Sequence, residues 1–263
     1  MEYWIWLTTL PRIGPVTANH LIRQLGNPEN VYHSSEEELK KLRLTKMQIE
    51  SILDNQELDE AREILDECEK KGISLLPIND ARYPERARSC RDNPILLYYK
   101  GKLQTFNKSV GIVGARRCTQ KTKQLVASLA EEYAKNRITV VSGMAKGVDS
   151  YAHTACLRAG GYTIAVLGNG LDICYPSEHA KLKECIEKEG LLISQYPPGT
   201  RPTRYTFPER NRIISAWSDE LIVVAAGKGS GAHITAKYSN YYGRKVTQFQ
   251  ECSSSVSASH NES

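Results

Sequence analysis

From residue 109 to residue 249 the chain alternates short apolar runs with longer amphipathic stretches, and no other feature constrains its fold as strongly. Residues 110–113, 138–141, 163–167, 191–194, 221–225 and 245–249 read as strands. Between them, residues 120–135, 150–159, 178–188, a short 210–215 and 232–242 read as helices. Strands that are apolar along their whole length have no solvent face. They belong to a parallel sheet covered by helices on both sides. The expected fold class is therefore α/β.

The preceding segment has a different character. Residues 1–70 read as a small all-α domain, of SAM-like or helix-hairpin-helix type. Val16, His20, Leu21 and Leu25 recur at helical spacing, and Gly26-Asn27-Pro28 stops that run. Ser34-Ser35 ahead of Glu37 and Glu38 resembles an N-cap. One long amphipathic stretch is expected over residues 45–71, ended by Gly72. Leu10-Pro-Arg-Ile-Gly-Pro-Val-Thr-Ala18 resembles the hairpin of a helix-hairpin-helix unit, whose glycine turn presents backbone N–H groups to phosphates. A helical docking module explains it equally well, because few basic residues lie nearby. Residues 71–108 read as a connector with short strands at 73–77 and 95–99. Residues 109–249 form the sheet domain, and the serine-rich residues 250–263 are expected to be disordered.

Composition narrows the function classes. The net charge of +5 permits a polyanionic partner without requiring one. The seven cysteines form no Cys-x-x-Cys pair, so neither a zinc site nor a disulfide framework is expected, and free thiols fit a reducing cytosol. The N-terminus lacks the basic region of a signal peptide, and no apolar run approaches the roughly 20 residues that span a bilayer.

Ligands of such sheets bind beyond the carboxyl ends of the strands, so five loops carry the chemistry. In Gly111-Ile-Val-Gly114-Ala-Arg116-Arg117 the glycines permit close approach of an anion and the arginines add charge; a tight strand–helix turn without ligand is the competing explanation. The dinucleotide fingerprint Gly-x-Gly-x-x-Gly is absent, so no dinucleotide cofactor is expected. In Ser142-Gly-Met-Ala-Lys146-Gly147-Val-Asp149 two glycines straddle a lysine, as a phosphate cradle does, and Asp149 reads as a helix cap. In the third loop, Asp172 either contacts a ligand or bonds its own glycine-rich turn. The fourth, residues 201–212, sets Arg201, Arg204, Arg210 and Arg212 among Tyr205 and Phe207, the composition of a single-strand channel; the competing reading pairs one or two of these arginines with Asp149, Asp172 or Glu209. The fifth, Ser230-Gly231, opens a helix at another anion-favouring end, with His233 on the helix surface. No catalytic set and no metal cluster stands out, which argues against an enzyme.

These loops carry a family resemblance. Val113-Gly-Ala-Arg116, Val141-Ser-Gly-Met-Ala-Lys-Gly-Val-Asp149, Ala165-Val-Leu-Gly-Asn-Gly-Leu-Asp172 with Tyr175-Pro176, Phe207-Pro-Glu-Arg-Asn-Arg-Ile-Ile-Ser215 and Ser230-Gly-Ala-His-Ile-Thr-Ala236 resemble the DNA-processing protein A (DprA/Smf) family. The resemblance implies a Rossmann-like core that binds single-stranded DNA in the cytoplasm. It also implies loading of a RecA-type recombinase onto incoming DNA in natural transformation. By the resemblance, Gly114, Arg116, Arg210 and Arg212 fall on DNA-contacting motifs; with the loop chemistry added, the expected DNA contacts are Gly114, Arg116, Arg117, Lys146, Arg204, Phe207, Arg210, Asn211, Arg212, Ser230 and Gly231. The family's glycine–hydroxyl–arginine motif falls on Gly114, Ala115 and Arg116, so its hydroxyl is missing here. After Val246 the chain departs from the family pattern, so the implied homodimer and recombinase contacts are expected to be altered. The alternative reading is a Rossmann-like protein that binds or hydrolyses a nucleotide.

Overall fold

A computed structural model describes residues 1–227 and 229–250. Most of the expected tail, including Cys252, lies outside the described residues. Six helices come first: α1 (Glu2–Thr9), α2 (Pro15–Leu25), α3 (Pro28–Tyr32), α4 (Glu36–Lys40), α5 (Lys46–Asp54) and α6 (Asp59–Lys70). Ser35 and Thr45 close reciprocal capping boxes with Glu38 and Gln48, so the sequence itself sets the starts of α4 and α5. The single helix expected over residues 45–71 is two. Asn55 leaves helical geometry, and its carbonyl accepts the Trp6 indole N–H at 2.5 Å. Tertiary packing of α1 thus interrupts a pattern that is continuous in amphipathicity.

Next come β1 (Ser74–Pro77), α7 (Glu85–Arg88) and β2 (Leu96–Gly101). The α/β alternation follows as β3 (Ser109–Gly114), α8 (Gln120–Lys135), β4 (Thr139–Ser142), α9 (Val148–Arg158) and β5 (Thr163–Leu167), then α10 (Ala180–Glu189) and β6 (Leu191–Ser194). It ends with α11 (Thr206–Ala216), β7 (Glu220–Val224), α12 (Gly231–Tyr241) and β8 (Lys245–Phe249). The sheet order is β1-β2-β6-β5-β4-β3-β7-β8. The last six in that order run parallel, and β2 pairs antiparallel with both β6 and β1. The short strands expected between residues 71 and 108 therefore extend the sheet itself.

The central strands are buried along almost their whole length, and their side chains turn alternately to two cores. Val110 and Ile112 of β3 and Ile222 and Val224 of β7 face a core shared with α8 and α9. Val113, Leu221 and Val223 face the opposite core, which holds Ile213, Ile214 and Trp217 and runs on into the N-terminal helices. Helices thus cover both faces, as period-two alternation in a doubly buried strand requires. Two contacts tie the helical unit to the sheet: Asn19 Nδ2 donates to the Asn93 carbonyl at 2.7 Å, and Lys71 pairs with Asp172 at 2.9 Å. The chain leaves β3 toward β4 on one side and returns to β7 on the other. That reversal opens a crevice at the carboxyl end of β3.

Candidate functional site

A groove of ≈ 490 Å³ lies at this reversal. Its floor begins at Val113 and Gly114, where β3 ends. The flap 202–204 and the first turns of α11 form one wall, and the first turn of α12 forms the other. Gly114, Arg116, Arg204, Phe207, Arg210, Asn211, Ser230 and Gly231 of the expected set all border it. Lys146 borders a smaller adjoining niche of ≈ 60 Å³, which shares Arg116, Phe207 and Arg210 with the groove. Arg117 is exposed and borders neither.

The cations divide by burial. Arg116 and Arg204 are exposed, and neither has an ion pair among the described residues. The Arg204 guanidinium lies 4.8 Å from the Tyr205 ring centre, which orients it without neutralising it. Lys146 is partly neutralised by Glu178 at 2.7 Å. Arg210 is 5% exposed. Its Nη1 donates to the carbonyls of Gly143 and of Val166, and its Nε donates to Asn211 Oδ1 at 3.1 Å. Burial pulls its pKa below the ordinary arginine value. Arg210 therefore fastens the ends of β4 and β5 together and turns only one side to the groove. Arg212 follows the competing reading: it is 5% exposed, borders neither groove nor niche, and bonds Gln195 and Glu209, each at 3.2 Å. The two residues sit two positions apart on α11, so they point about 200° apart around its axis.

The glycine-rich loops also differ from their expected role. At Gly114 a Cβ would overlap the Val224 carbonyl, and at Gly147 it would overlap the Ala115 carbonyl. At both positions strand–loop packing by itself requires glycine. In the 142–147 loop the N–H groups of Gly143 and Ala145 point to Asp149 Oδ2 at 3.1 and 3.4 Å. The chain's own buried carboxylate fills the cradle that a phosphate would take. Burial pushes that carboxyl above its ordinary range, opposed by Arg210 and the two N–H groups. Gly231 is different, with only Asn211 Nδ2, at 3.8 Å, near a Cβ added there. The α12 end thus stays open, although Ser230 Oγ already accepts the Ala232 N–H at 3.3 Å.

Sequence reasoning left Tyr175 out of the expected contacts. It borders groove and niche, is 47% exposed, and packs its ring 5.5 Å from Phe207. The Tyr175-Pro176 dipeptide among the quoted motifs was its one signal. Pro202, Thr203, Ile234 and Thr235 complete the walls, and nothing in their residue types marks them for such a place.

The model of the DNA recombination-mediator protein A family matches residues 74–262. The chain belongs to this family. Protein Smf of Synechocystis sp. is 36% identical over 250 residues, covering 93% of this chain and 63% of that protein. DNA processing protein DprA of Bacillus subtilis is 38% identical over 179 residues, covering 67% of this chain and 60% of that protein. The solved structure of DprA from Streptococcus pneumoniae superposes with a TM-score of 0.76 at 30% identity, covering 94% of this chain and 86% of that one. DprA from Helicobacter pylori, whose structure is described as showing a single-stranded DNA binding mode, gives 0.61 at 33% identity, covering 67% of this chain and 80% of that one. The chain spans about three fifths of the length of the curated relatives it matches.

At the family's glycine–hydroxyl–arginine motif, Ala115 anchors its backbone twice, its N–H to Val224 and its carbonyl to the Val148 N–H, both at 3.1 Å. The position of Arg116 therefore does not rest on the missing hydroxyl. Asp172 bonds distant segments of the chain: both its oxygens accept the Gly199 N–H, at 2.9 and 3.0 Å, and Oδ2 also meets Lys71. Those bonds hold its carboxyl below the usual range despite partial burial. Among the described residues no helix is long and apolar enough to cross a membrane.

Proposed function

We propose that the groove binds single-stranded DNA in the cytoplasm and that the protein hands the strand to a RecA-type recombinase. One observation carries this reading: Arg116 and Arg204, which form no ion pair among the described residues, flank an open groove, with Phe207 and Tyr175 as a ring pair beside them. Guanidiniums for phosphates and rings for bases are the two elements of single-strand binding. The Helicobacter pylori relative, described as binding single-stranded DNA, supports the same reading. A phosphate cradle for a free nucleotide is less well served, because Asp149 holds the N–H groups of the 142–147 loop.

The test is binding of oligo-dT and of its duplex across a salt series. Each phosphate neutralised on a single strand contributes about 0.7 to the log–log slope. Arg116→Ala and Arg204→Ala should each reduce the slope by about 0.7, with single strand preferred over duplex. Wild-type slopes in both variants, or a mononucleotide competing as well as the oligomer, would overturn the proposal. Transfer to a recombinase is tested by retention of purified RecA on the immobilised protein–oligomer complex.

A further inference from the structure

The positive surface does not end at the groove. Residues 93–130 contain no Asp or Glu. In this stretch Lys100 and Lys102 are paired with Glu187 and Glu189, at 2.9 and 2.7 Å. Arg116, Arg117, Lys121 and Lys123 form no ion pair among the described residues. Arg116, Arg117 and Lys121 are exposed, and Lys123 is half-buried with its Nζ 5.4 Å from the centre of the Tyr151 ring.

These residues connect physically to the groove. Gly147 lies against the backbone of Ala115 and Arg116; a Cβ on it would stand 2.6 Å from the Arg116 carbonyl oxygen. The Gly147 carbonyl accepts the Tyr151 N–H at 3.1 Å, which sets Tyr151 one turn into α9. Backbone contacts at Gly147 thus place the Arg116 segment beside the start of α9, whose Tyr151 ring meets Lys123. Lys121 and Lys123 also stand in the opening turns of α8, where the helix dipole favours anions over cations. Four like charges in eight residues, with no acid near in sequence, repel one another until a polyanion lies across them. A cation beside a ring is again the pairing that single-strand tracks use.

We infer that a strand leaving the groove at Arg116 continues over the start of α8. Its phosphates meet Arg117, Lys121 and Lys123, and a base rests on Tyr151. This rests on the reading that the groove binds single-stranded DNA, and the experiment separates the two. Oligo-dT of about 5 and about 15 nucleotides, near the lower and upper site sizes of a single-strand fold, is titrated with wild type, with Lys121→Gln/Lys123→Gln and with Arg116→Ala. Melting curves confirm that each variant is folded. The lysine variant should bind the short oligomer like wild type and the long one about tenfold more weakly. Its salt slope on the long oligomer should shrink by about 1.4, for two phosphates. Arg116→Ala should weaken both lengths. If the lysine variant binds both lengths like wild type while Arg116→Ala weakens both, the track is overturned and the groove stands. Equal loss on both lengths in the lysine variant also overturns the track, since the lysines then act on the groove. If only the lysine variant loses affinity, the groove reading falls, and with it the continuation of a strand out of the groove.

Discussion

Gly143 and Arg210 fit only because one lacks a side chain: the Gly143 carbonyl accepts Arg210 Nη1, and a Cβ on Gly143 would overlap the guanidinium carbon and both of its terminal nitrogens. The first glycine of the 142–147 loop is therefore explained by an arginine arriving from α11. Gly143→Ala displaces that guanidinium from two buried carbonyls. We expect it to lower unfolding free energy by about 3 kcal/mol, the scale of an overpacked core combined with a buried charge losing its partners. Urea denaturation at pH 7 measures this, and a midpoint like wild type would show that the arginine holds nothing together.

Arg212→Ala separates structure from binding. Its guanidinium is buried off the groove, bonded to Gln195 and Glu209. The variant should lose about 1–3 kcal/mol of stability, the range for removing a buried hydrogen-bonded partner, and keep the wild-type salt slope for oligo-dT. A reduced slope with unchanged stability would return Arg212 to the DNA contacts.

Tyr175→Ala should do the opposite. The residue is 47% exposed, so the fold loses little when its ring is removed. If a base stacks beside Phe207, affinity for oligo-dT should fall by about 1–3 kcal/mol, with no change in salt slope because no phosphate contact is lost. Titration at two salt concentrations, with a thermal melt as control, decides the matter.

His153 predicts an acid limit to stability. It is fully buried, its Nδ1 lies 2.7 Å from Thr163 Oγ1, and its Nε2 has no partner among the described residues. The Thr163 hydroxyl donates to the Val140 carbonyl at 2.8 Å, so Nδ1 carries the proton in this contact. Burial, then the neighbouring Arg210 and His179, push the imidazole pKa down to about 3 from 6.5. A depressed folded pKa gives stability that is complete above the unfolded value and is lost as pH falls from 6.5 toward 3. The loss is about 1.4 kcal/mol per pH unit through that window. Asp149, shifted upward, works in the opposite sense, and only near and above the unfolded carboxylate value. Unfolding free energies at pH 7, 6 and 5 should therefore fall steadily in wild type and less in His153→Gln. Equal slopes in the two proteins would remove His153 from the account.

Much of the fold was legible because hydrophobic periodicity is local. The expected helix over Gln120–Lys135 and the strands Thr163–Leu167, Leu191–Ser194 and Lys245–Phe249 coincide with the observed elements. The helix expected over residues 210–215 instead begins at Thr206, because the Thr203 and Thr206 side chains brace the turn that precedes it. With that start hidden, Phe207, Arg210 and Arg212 looked like neighbours in one basic segment.

The chain order of apolar and amphipathic runs by itself determined the α/β layering, the helical N-terminal unit and the loops at which a ligand gathers, since each depends on residues within a turn or a strand of one another. Which charges face that ligand was decided only by tertiary structure. Arg116 and Arg204 remain open, Arg210 is used as a rivet between strands, Arg212 points into the interior, and Asp149 takes the place of a phosphate. A cation's availability depends on what distant segments bring within hydrogen-bond reach, and residue type and spacing do not encode that distance.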